Sequence, residues 1–312
     1  MKTSIVIGGA GFIGRHVVDL LCESGREVVV VGRSPEPSGS LHTASRYIRG
    51  DYADRKFLRE ILKQGCEVID LAYSTVPKTS YEDPAFDLLS NLPASVGLFQ
   101  EALESGVGRL LIVSSGGTVY GPANQLPIRE DHPAMPVSPY GITKLTTDRY
   151  AMMFHRNNGL PVVIARPANA YGEDQRTGTG QGFIAAAIQA ILSGREIEIY
   201  GVRGTIRDYI HVRDVAAGIV SILENGTDGE IYNLGTGVGT SNAEIVRVLE
   251  KLAGSDGLTV RTKVLPSRSF DVEANILDSS KLRSASNWTH TVGVEEGVFS
   301  MWKALRGEGR RG

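Results

Sequence analysis

The chain has 312 residues, 41% of them hydrophobic, enough for one large α/β unit or two fused lobes around a sizeable core. Its 33 basic and 35 acidic residues give a formal net charge of -2 with no basic stripe, which excludes the electrostatic footprint of a nucleic-acid binder. No run of about 18 apolar residues occurs, so no membrane span is expected, and the opening "MKTSIVIGGAG" is too short and glycine-broken to read as a signal peptide.

"TSIVIGG" predicts a buried strand and "FIGRHVVDLLCESG" a helix ending on Gly25. "EVVVVG" predicts a second β-branched strand, and "GDYAD" lies at the end of another. "CEVIDLAY", "GRLLIVSS" and "LPVVIARP" follow as strands, each after a plausible helix. Near-continuous Val/Ile runs separated by helices indicate a parallel sheet covered on both faces. The predicted fold class is therefore α/β, a doubly wound (Rossmann) sheet.

After about residue 167 the pattern changes. "GFIAAAIQAILSG" predicts an apolar helix and "EIEIYG" a short strand. "RDVAAGIVSILENG" and "GEIYNLGTG" predict a helix and a strand that return to the sheet. The remainder mixes short helices and strands, and the tail "RGEGRRG" reads as a frayed terminus. Residues 1–166 and 207–239 are expected to form the dinucleotide-binding domain. Residues 167–206 and 240–312 are expected to form a smaller α+β substrate lobe at the carboxyl edge of the sheet, where ligands bind in open α/β folds. The only two cysteines, Cys22 and Cys66, read as buried thiols, and a reducing cytoplasm is the expected compartment.

"GGAGFIG" spaces Gly8, Gly11 and Gly14 between the first strand and the first helix. Glycine there lets the backbone turn tightly and approach a pyrophosphate held at the helix N-terminus. The second strand of an NAD site ends in an acid that holds the ribose diol. Here it ends in Gly32 and Arg33. Arg33 suits a 2′-phosphate, which points to NADP; stacking on adenine or a solvated position are the equal alternatives. Asp51 is a candidate for the adenine amino group, with the Tyr52 backbone beside it.

"SPYGITK" puts Tyr140 four residues before Lys144, so both share one helix face. The spacing alone does not separate a proton-transfer pair from two surface residues. The surrounding motifs do. "GGAGFIG", "GDYAD", "SSGGTVYG", "SPYGITK", "ARPANAYG", "RDYIHVRDVA", "YNLGTG" and "DSSKL" run over nearly the whole chain. Together they resemble the extended short-chain dehydrogenase/reductase family, and within it the nucleotide-sugar epimerases of the UDP-glucose (UDP-galactose) 4-epimerase type.

The resemblance implies that Tyr140 and Lys144 are the catalytic pair, with NAD, or NADP through Arg33, as a retained cofactor. A nearby ammonium and a positive nicotinamide ring would lower the phenol pKa. Cofactor contacts are implied for Gly8, Gly11, Phe12, Ile13 and Gly14, for Leu71 and Ala72, and for Asn91 and Pro167. Asn169, Arg207 and Arg268 are implied to hold the substrate diphosphate, Asp271 the nucleotide ribose, and Tyr200 the base. Gln181 matches a family Asn only loosely. Asn275 falls where some members carry a bulky Tyr, and its smaller side chain leaves space for an acetamido group.

The family's usual Ser-Ser-Ser-Ala-Thr-Val-Tyr-Gly aligns Gly116 with the active hydroxyl. That leaves Ser115, Thr118 or a water as its replacement. Dehydratases of this group carry Asp-Glu where this chain has Gly116-Gly117, which argues against water elimination. Lys78 lies further along than the family's usual Lys, and Thr75 stands at that place. A homodimer through "SNLPASVGLFQEALES" and "TKLTTDRYAMMFHRNNG" is also implied. The alternatives are an NADP-dependent 4-keto-sugar reductase and a catalytically silent cofactor-binding protein. No metal site is expected, because His211 has no partner ligands at suitable spacing.

Overall fold

The computed structural model describes residues 2–37, 39–175, 182–266 and 272–308. The first half runs β1 (Thr3–Ile7), α1 (Phe12–Glu23), β2 (Glu27–Gly32), β3 (Ser45–Arg49), α2 (Arg55–Ile61) and β4 (Glu67–Asp70). It continues through α3 (Pro77–Glu82), α4 (Pro84–Ser105), β5 (Arg109–Val113), α5 (Gly116–Val119), α6 (Pro139–Asn158) and β6 (Val162–Pro167). The second half opens with β7 (Asn169–Tyr171), α7 (Phe183–Leu192), β8 (Ile197–Tyr200), β9 (Ile206–His211), α8 (Val212–Asn225) and β10 (Ile231–Leu234). It closes with β11 (Gly239–Ser241), α9 (Asn242–Ser255), β12 (Thr262–Leu265), β13 (Ala274–Asn275), α10 (Ser280–Ser286) and α11 (Val294–Glu308).

Seven parallel strands form the main sheet in the order β10-β6-β5-β4-β1-β2-β3. Alternation along each strand explains the continuous apolar runs. Val6, Val28 and Val30 pack with α1 and α8 on one face. Ile5, Ile7, Val29 and Val31 pack with α2, α4 and α6 on the other. Both faces are therefore apolar, and the doubly wound fold expected from the sequence is present. The strand order reverses between β1 and β4, and that crevice is where such sheets bind ligands.

A third core unites α7, β8, α9 and α11 at the carboxyl edge. β9 joins the two regions, since Ile210 packs with the main sheet and Tyr209 with the third core. Asp208 braces them further. Its buried carboxylate accepts hydrogen bonds from Thr236 N and Oγ1 (2.9 and 2.6 Å), Gly237 N (3.1 Å) and Leu277 N (3.2 Å). Leu282 and Trp288 pack with α8 and β10, so α10 and its flank belong to the larger core although they lie beyond residue 240. At the end of the described chain, α11 continues through Arg306, which pairs with Asp256, instead of fraying there. Among the described residues, no helix is long and apolar enough to cross a membrane, and no metal-ligand cluster occurs. Cys66 is buried, Cys22 half-buried, and both are free.

Candidate active site

The glycine loop lies in the crevice at the reversal point. Gly8 has φ 79°, and its N–H donates to Val31 O at 2.9 Å. A Cβ on Gly8 would stand 3.0 Å from Ala72 N, so the loop packs flush on the Leu71–Ala72 backbone after β4. A Cβ on Gly14 would meet Gly8 O at 2.5 Å and break the turn itself. α1 starts at Phe12 with Gly11 as N-cap and no side-chain cap. Its first-turn N–H groups, those of Phe12, Ile13 and Gly14, therefore face outward from a bare backbone rim. Such a rim suits a pyrophosphate.

Tyr140 and Lys144 lie on the first two turns of α6, which Ser138 caps by accepting from Gly141 N at 3.1 Å. Lys144 is buried. Its ammonium donates to Val113 O at 2.9 Å and sits 4.1 Å over the ring of Tyr73. The Tyr73 ring meets Tyr140 edge-on, with centroids 4.8 Å apart. The three side chains form one packed unit between the ends of β4 and β5 and the start of α6.

Electrostatics around this unit differ from the expectation. Burial pushes the Tyr140 phenol above its ordinary value, and the Asp87 carboxylate adds to that. The ammonium of Lys144 is turned to the Tyr73 face and the Val113 carbonyl, so the expected lowering of the phenol pKa is not a property of the protein alone. Burial lowers the Lys144 pKa, while Asp70, Asp148 and Asp87 oppose it. Asp70, at the end of β4, is pushed from 3.8 to about 6 by burial, against the pull of Lys144 and a hydrogen bond from Ala72 N.

The Asp70 shift fixes a pH effect. Between about 4 and 6 the folded chain holds a proton on Asp70 that the unfolded chain has released, so stability falls as pH rises through that window and is flat above it. Asp70→Asn keeps the acceptor for Ala72 N and removes this slope. Urea denaturation from pH 4 to 7 is expected to show the wild type losing roughly 2 kcal/mol relative to the variant. A difference that does not change with pH would refute the shift.

Asp87 ties the surrounding elements together. It accepts from Thr143 Oγ1 at 2.7 Å and from Thr75 Oγ1. Asn91 is fully buried; its Oδ1 accepts from Ser74 N at 2.8 Å and its Nδ2 donates to Asp87 O at 2.7 Å. Asn91 thus braces the 74–75 turn behind the crevice. Lys78 is exposed on α3.

The loop after β5 explains the missing hydroxyl. A Cβ on Gly116 would lie 2.4 Å from Leu277 Cδ1 and 2.8 Å from Arg166 O. Asn275, buried on β13, donates its Nδ2 to Gly116 O at 3.1 Å. No side chain fits at 116. Ser115 is half-buried at the N-cap of α5 and makes no capping bond. Thr118 Oγ1, Asn169 Nδ2 and Asn275 Oδ1 are buried without a hydrogen-bond partner among the described residues. A Cβ on Gly117 would stand 3.2 Å from Asn169 Oδ1, so Asn169 lies across this loop. Gly116→Ser is expected to lower stability by about 1–3 kcal/mol through overpacking and to leave turnover no higher. Thermal unfolding and a turnover assay on the same preparation check it; a more active variant would show that the hydroxyl can be accommodated.

The comparisons with known proteins agree with this geometry. The sequence profile of the NAD dependent epimerase/dehydratase family matches residues 4–235. The chain belongs to that family. The UDP-glucose 4-epimerase of Mycolicibacterium smegmatis is 33% identical over 307 residues, covering 96% of each chain. The crystal structure of UDP-glucose 4-epimerase with UDP-glucose from Thermotoga maritima superposes with a TM-score of 0.89 at 32% identity, covering 98% of this chain and 99% of that one. The dTDP-4-dehydro-6-deoxyglucose reductase of Escherichia coli is 28% identical, covering 97% of both.

Of the positions carried over from the epimerase/dehydratase family, Gly8 to Gly14, Leu71, Ala72, Tyr140 and Lys144 meet around the crevice. Pro167 ends β6, and its carbonyl would lie 3.2 Å from a Cβ at Gly116. Arg33 is exposed at the end of β2. Asp51 is exposed and accepts from Ala53 N at 3.0 Å, and Tyr52 is buried beside it. Arg207, on β9, pairs in register with Asn275 and donates to Ile206 O at 2.8 Å. Tyr200 ends β8 and donates to Glu198 at 3.1 Å. Gln181, Arg268 and Asp271 lie outside the described residues. His211 caps α8 and faces Glu173 at 3.1 Å.

Tyr73, Asp70, Asp87, Thr143 and Asp148 did not emerge as site residues from the sequence. One signal was available: Asp70 is a carboxylate inside the apolar run "EVIDLAY". Tyr73 and Asp87 carried none, because their importance comes from contacts with α6 far along the chain.

Proposed function

We propose that this chain is a nucleotide-sugar 4-epimerase that acts on a UDP-hexose or UDP-N-acetylhexosamine with NAD retained in the crevice. The observation that carries the reading is the Tyr140–Lys144 pair, set at the carboxyl edge beside the bare glycine rim. Bound NAD supplies a reversible hydride acceptor. Tyr140 takes the proton from the sugar 4-hydroxyl and returns it to the same oxygen after the sugar has turned over. Lys144 holds positive charge beside that exchange. Thr118 and Ser115 are the candidate hydroxyls in place of a side chain at 116. Asn169 and Arg207 bind the diphosphate; Gln181, Tyr200, Arg268 and Asp271 complete the expected nucleotide contacts.

Asn275, in place of a bulky Tyr, supports admission of an acetamido group. The test is chromatography of products from UDP-glucose and UDP-N-acetylglucosamine incubated with the purified chain and no added cofactor. Appearance of the galacto epimer, faster from the N-acetyl sugar, is the expected result. No epimer from either sugar would overturn the reading. A 4-keto-sugar reductase is the second reading, supported by Arg33 and by the reductase relative; consumption of NADPH with a 4-keto nucleotide sugar would establish it instead.

The same reading includes a homodimer. Phe86 and Leu89 on α4 and Ile142, Tyr150 and Met153 on α6 are exposed apolar side chains on adjacent helices. Light scattering is expected to give twice the chain mass, and Leu89→Glu to reduce it to one. A monomeric wild type would remove this part of the reading.

A further inference from the structure

We propose that Tyr73 is a positioning residue for the reaction: the face of its ring holds the Lys144 ammonium in place within the unit that contains Tyr140. This rests on the epimerase reading above, in which Lys144 holds charge beside the proton exchange at Tyr140. Lys144 Nζ stands 4.1 Å from the centre of the Tyr73 ring. The same ring meets Tyr140 edge-on, with centroids 4.8 Å apart. Both members of the pair therefore rest on one side chain.

The contact is held from both ends. Tyr73 follows β4 in a turn tied to buried side chains on either side of it. Ala72 N donates to Asp70 Oδ1 at 3.0 Å, Ser74 N donates to Asn91 Oδ1 at 2.8 Å, and Thr75 Oγ1 donates to Asp87. All three acceptors are buried. From the other end, Lys144 Nζ donates to Val113 O at 2.9 Å on the neighbouring strand β5. Asp70, Asp148 and Asp87 act on the ammonium, but among the described residues none of them forms an ion pair with it within 4.0 Å; Asp148 pairs with Arg166 instead. An ammonium has three N–H donors. One goes to Val113 O and the ring face occupies a second side, which sets the direction of the third.

The ring carries this effect, not the hydroxyl. The Tyr73 hydroxyl is buried without a hydrogen-bond partner among the described residues. Thr143 lies close enough to act on it, but its own hydroxyl proton goes to Asp87. Burial, with Asp87 adding to it, raises the phenol pKa, so the ring that faces the ammonium is neutral. A neutral aromatic face attracts an ammonium through its quadrupole, and more strongly where water is excluded. That attraction favours the charged form of Lys144 against the burial that opposes it.

The test separates the ring face from the hydroxyl and from packing. The full chain is prepared with isotopically labelled lysine as the wild type, Tyr73→Phe and Tyr73→Leu, and with trifluorophenylalanine at position 73, which keeps the ring and weakens its face. The ε resonances of Lys144, assigned by their loss in Lys144→Arg, are followed by NMR from about pH 6 to 11. The ring is expected to shift the ε protons upfield in the wild type and Tyr73→Phe and not in Tyr73→Leu. Lys144 is expected to titrate about one pH unit lower in Tyr73→Leu and in the fluorinated variant, and close to the wild-type value in Tyr73→Phe. The same two variants are expected to lose about tenfold in kcat for the nucleotide sugar with KM nearly unchanged, and Tyr73→Phe to stay within about twofold. An unshifted wild-type resonance, or one titration curve shared by the wild type and the fluorinated variant, would overturn the inference whatever the turnover. A loss in Tyr73→Phe equal to that in Tyr73→Leu would also overturn it, by making the hydroxyl the working group. If Tyr73→Leu does not fold, the fluorinated variant decides. No epimer from the wild type, with the NMR differences as expected, would sink the epimerase reading and leave the hold of Tyr73 on Lys144 standing.

Discussion

Tyr140→Phe is expected to lower kcat for the nucleotide sugar by about 10³-fold, within the usual range for a positioned general acid–base group. The substitution removes one oxygen and keeps the ring, so the edge-on contact with Tyr73 and the packing at the start of α6 remain. KM is expected to change little, because the groups assigned to the diphosphate lie on other elements. The phenol starts protonated: burial and Asp87 both raise its pKa. Since the proton acceptor is the deprotonated form, kcat/KM of the wild type should rise with pH across the neutral range. The variant should lose that rise along with its activity. Initial rates from pH 6 to 9 for both proteins check the point. A loss of less than tenfold, or an unchanged pH profile in the variant, would move the proton transfer to another group.

If Tyr140 acts as the proposed proton acceptor, its raised pKa assigns a task to its neighbours. Lys144 is a buried cationic group beside Tyr73, and three carboxylates on different elements oppose the lowering of its pKa by burial. Asp70 comes from β4, Asp87 from α4 and Asp148 from α6. A lysine in an apolar pocket without them would release its proton more readily. In the proposed mechanism the cluster favours the positive charge that would stabilise a phenolate at Tyr140.

Much of the fold was legible because the parallel sheet writes itself as Val/Ile runs. β1, β2, β5 and β6 fall within "TSIVIGG", "EVVVVG", "GRLLIVSS" and "LPVVIARP", the runs that predict them. The glycine loop was legible because its geometry depends on what is absent from each residue, and absence of a side chain is visible in sequence. Gly116 shows the opposite case. Its alignment reveals a missing hydroxyl, but only the fold reveals that Leu277 and the Arg166 carbonyl occupy the space. Those residues lie at the ends of β6 and beyond β13, and nothing local to "SSGGTVYG" encodes them. The placement of α10 against the larger core was hidden for the same reason: Leu282 and Trp288 reach it through long-range packing.

Arg166→Met should be among the most destabilising single changes in the chain, costing about 3–5 kcal/mol at neutral pH, because it strands a buried charge. Arg166, the penultimate residue of the buried strand β6, donates from Nε and Nη2 to Asp148 Oδ2 at 3.0 and 2.9 Å. The side chains are 4% and 1% exposed. The guanidinium also stands 5.0 Å from the centre of the Tyr120 ring, so its removal loses packing as well as charge. Burial already raises the Asp148 pKa, and Arg166 is the largest influence opposing it. Without Arg166 the folded-state pKa rises further, the proton is held more tightly by the folded chain, and stability falls as pH rises through that shifted value. The deficit of the variant should therefore be smaller at pH 5 than at pH 8, and Asp148→Asn in the same chain should recover part of it. Urea denaturation of the single and double variants at both pH values separates this from a simple cavity, whose cost would be the same at each. Asp148 also acts on Lys144, so the proton it holds in the variant removes one of the carboxylate charges beside the ammonium, and the low-pH range in which the variant is least destabilised is the range in which its activity should fall.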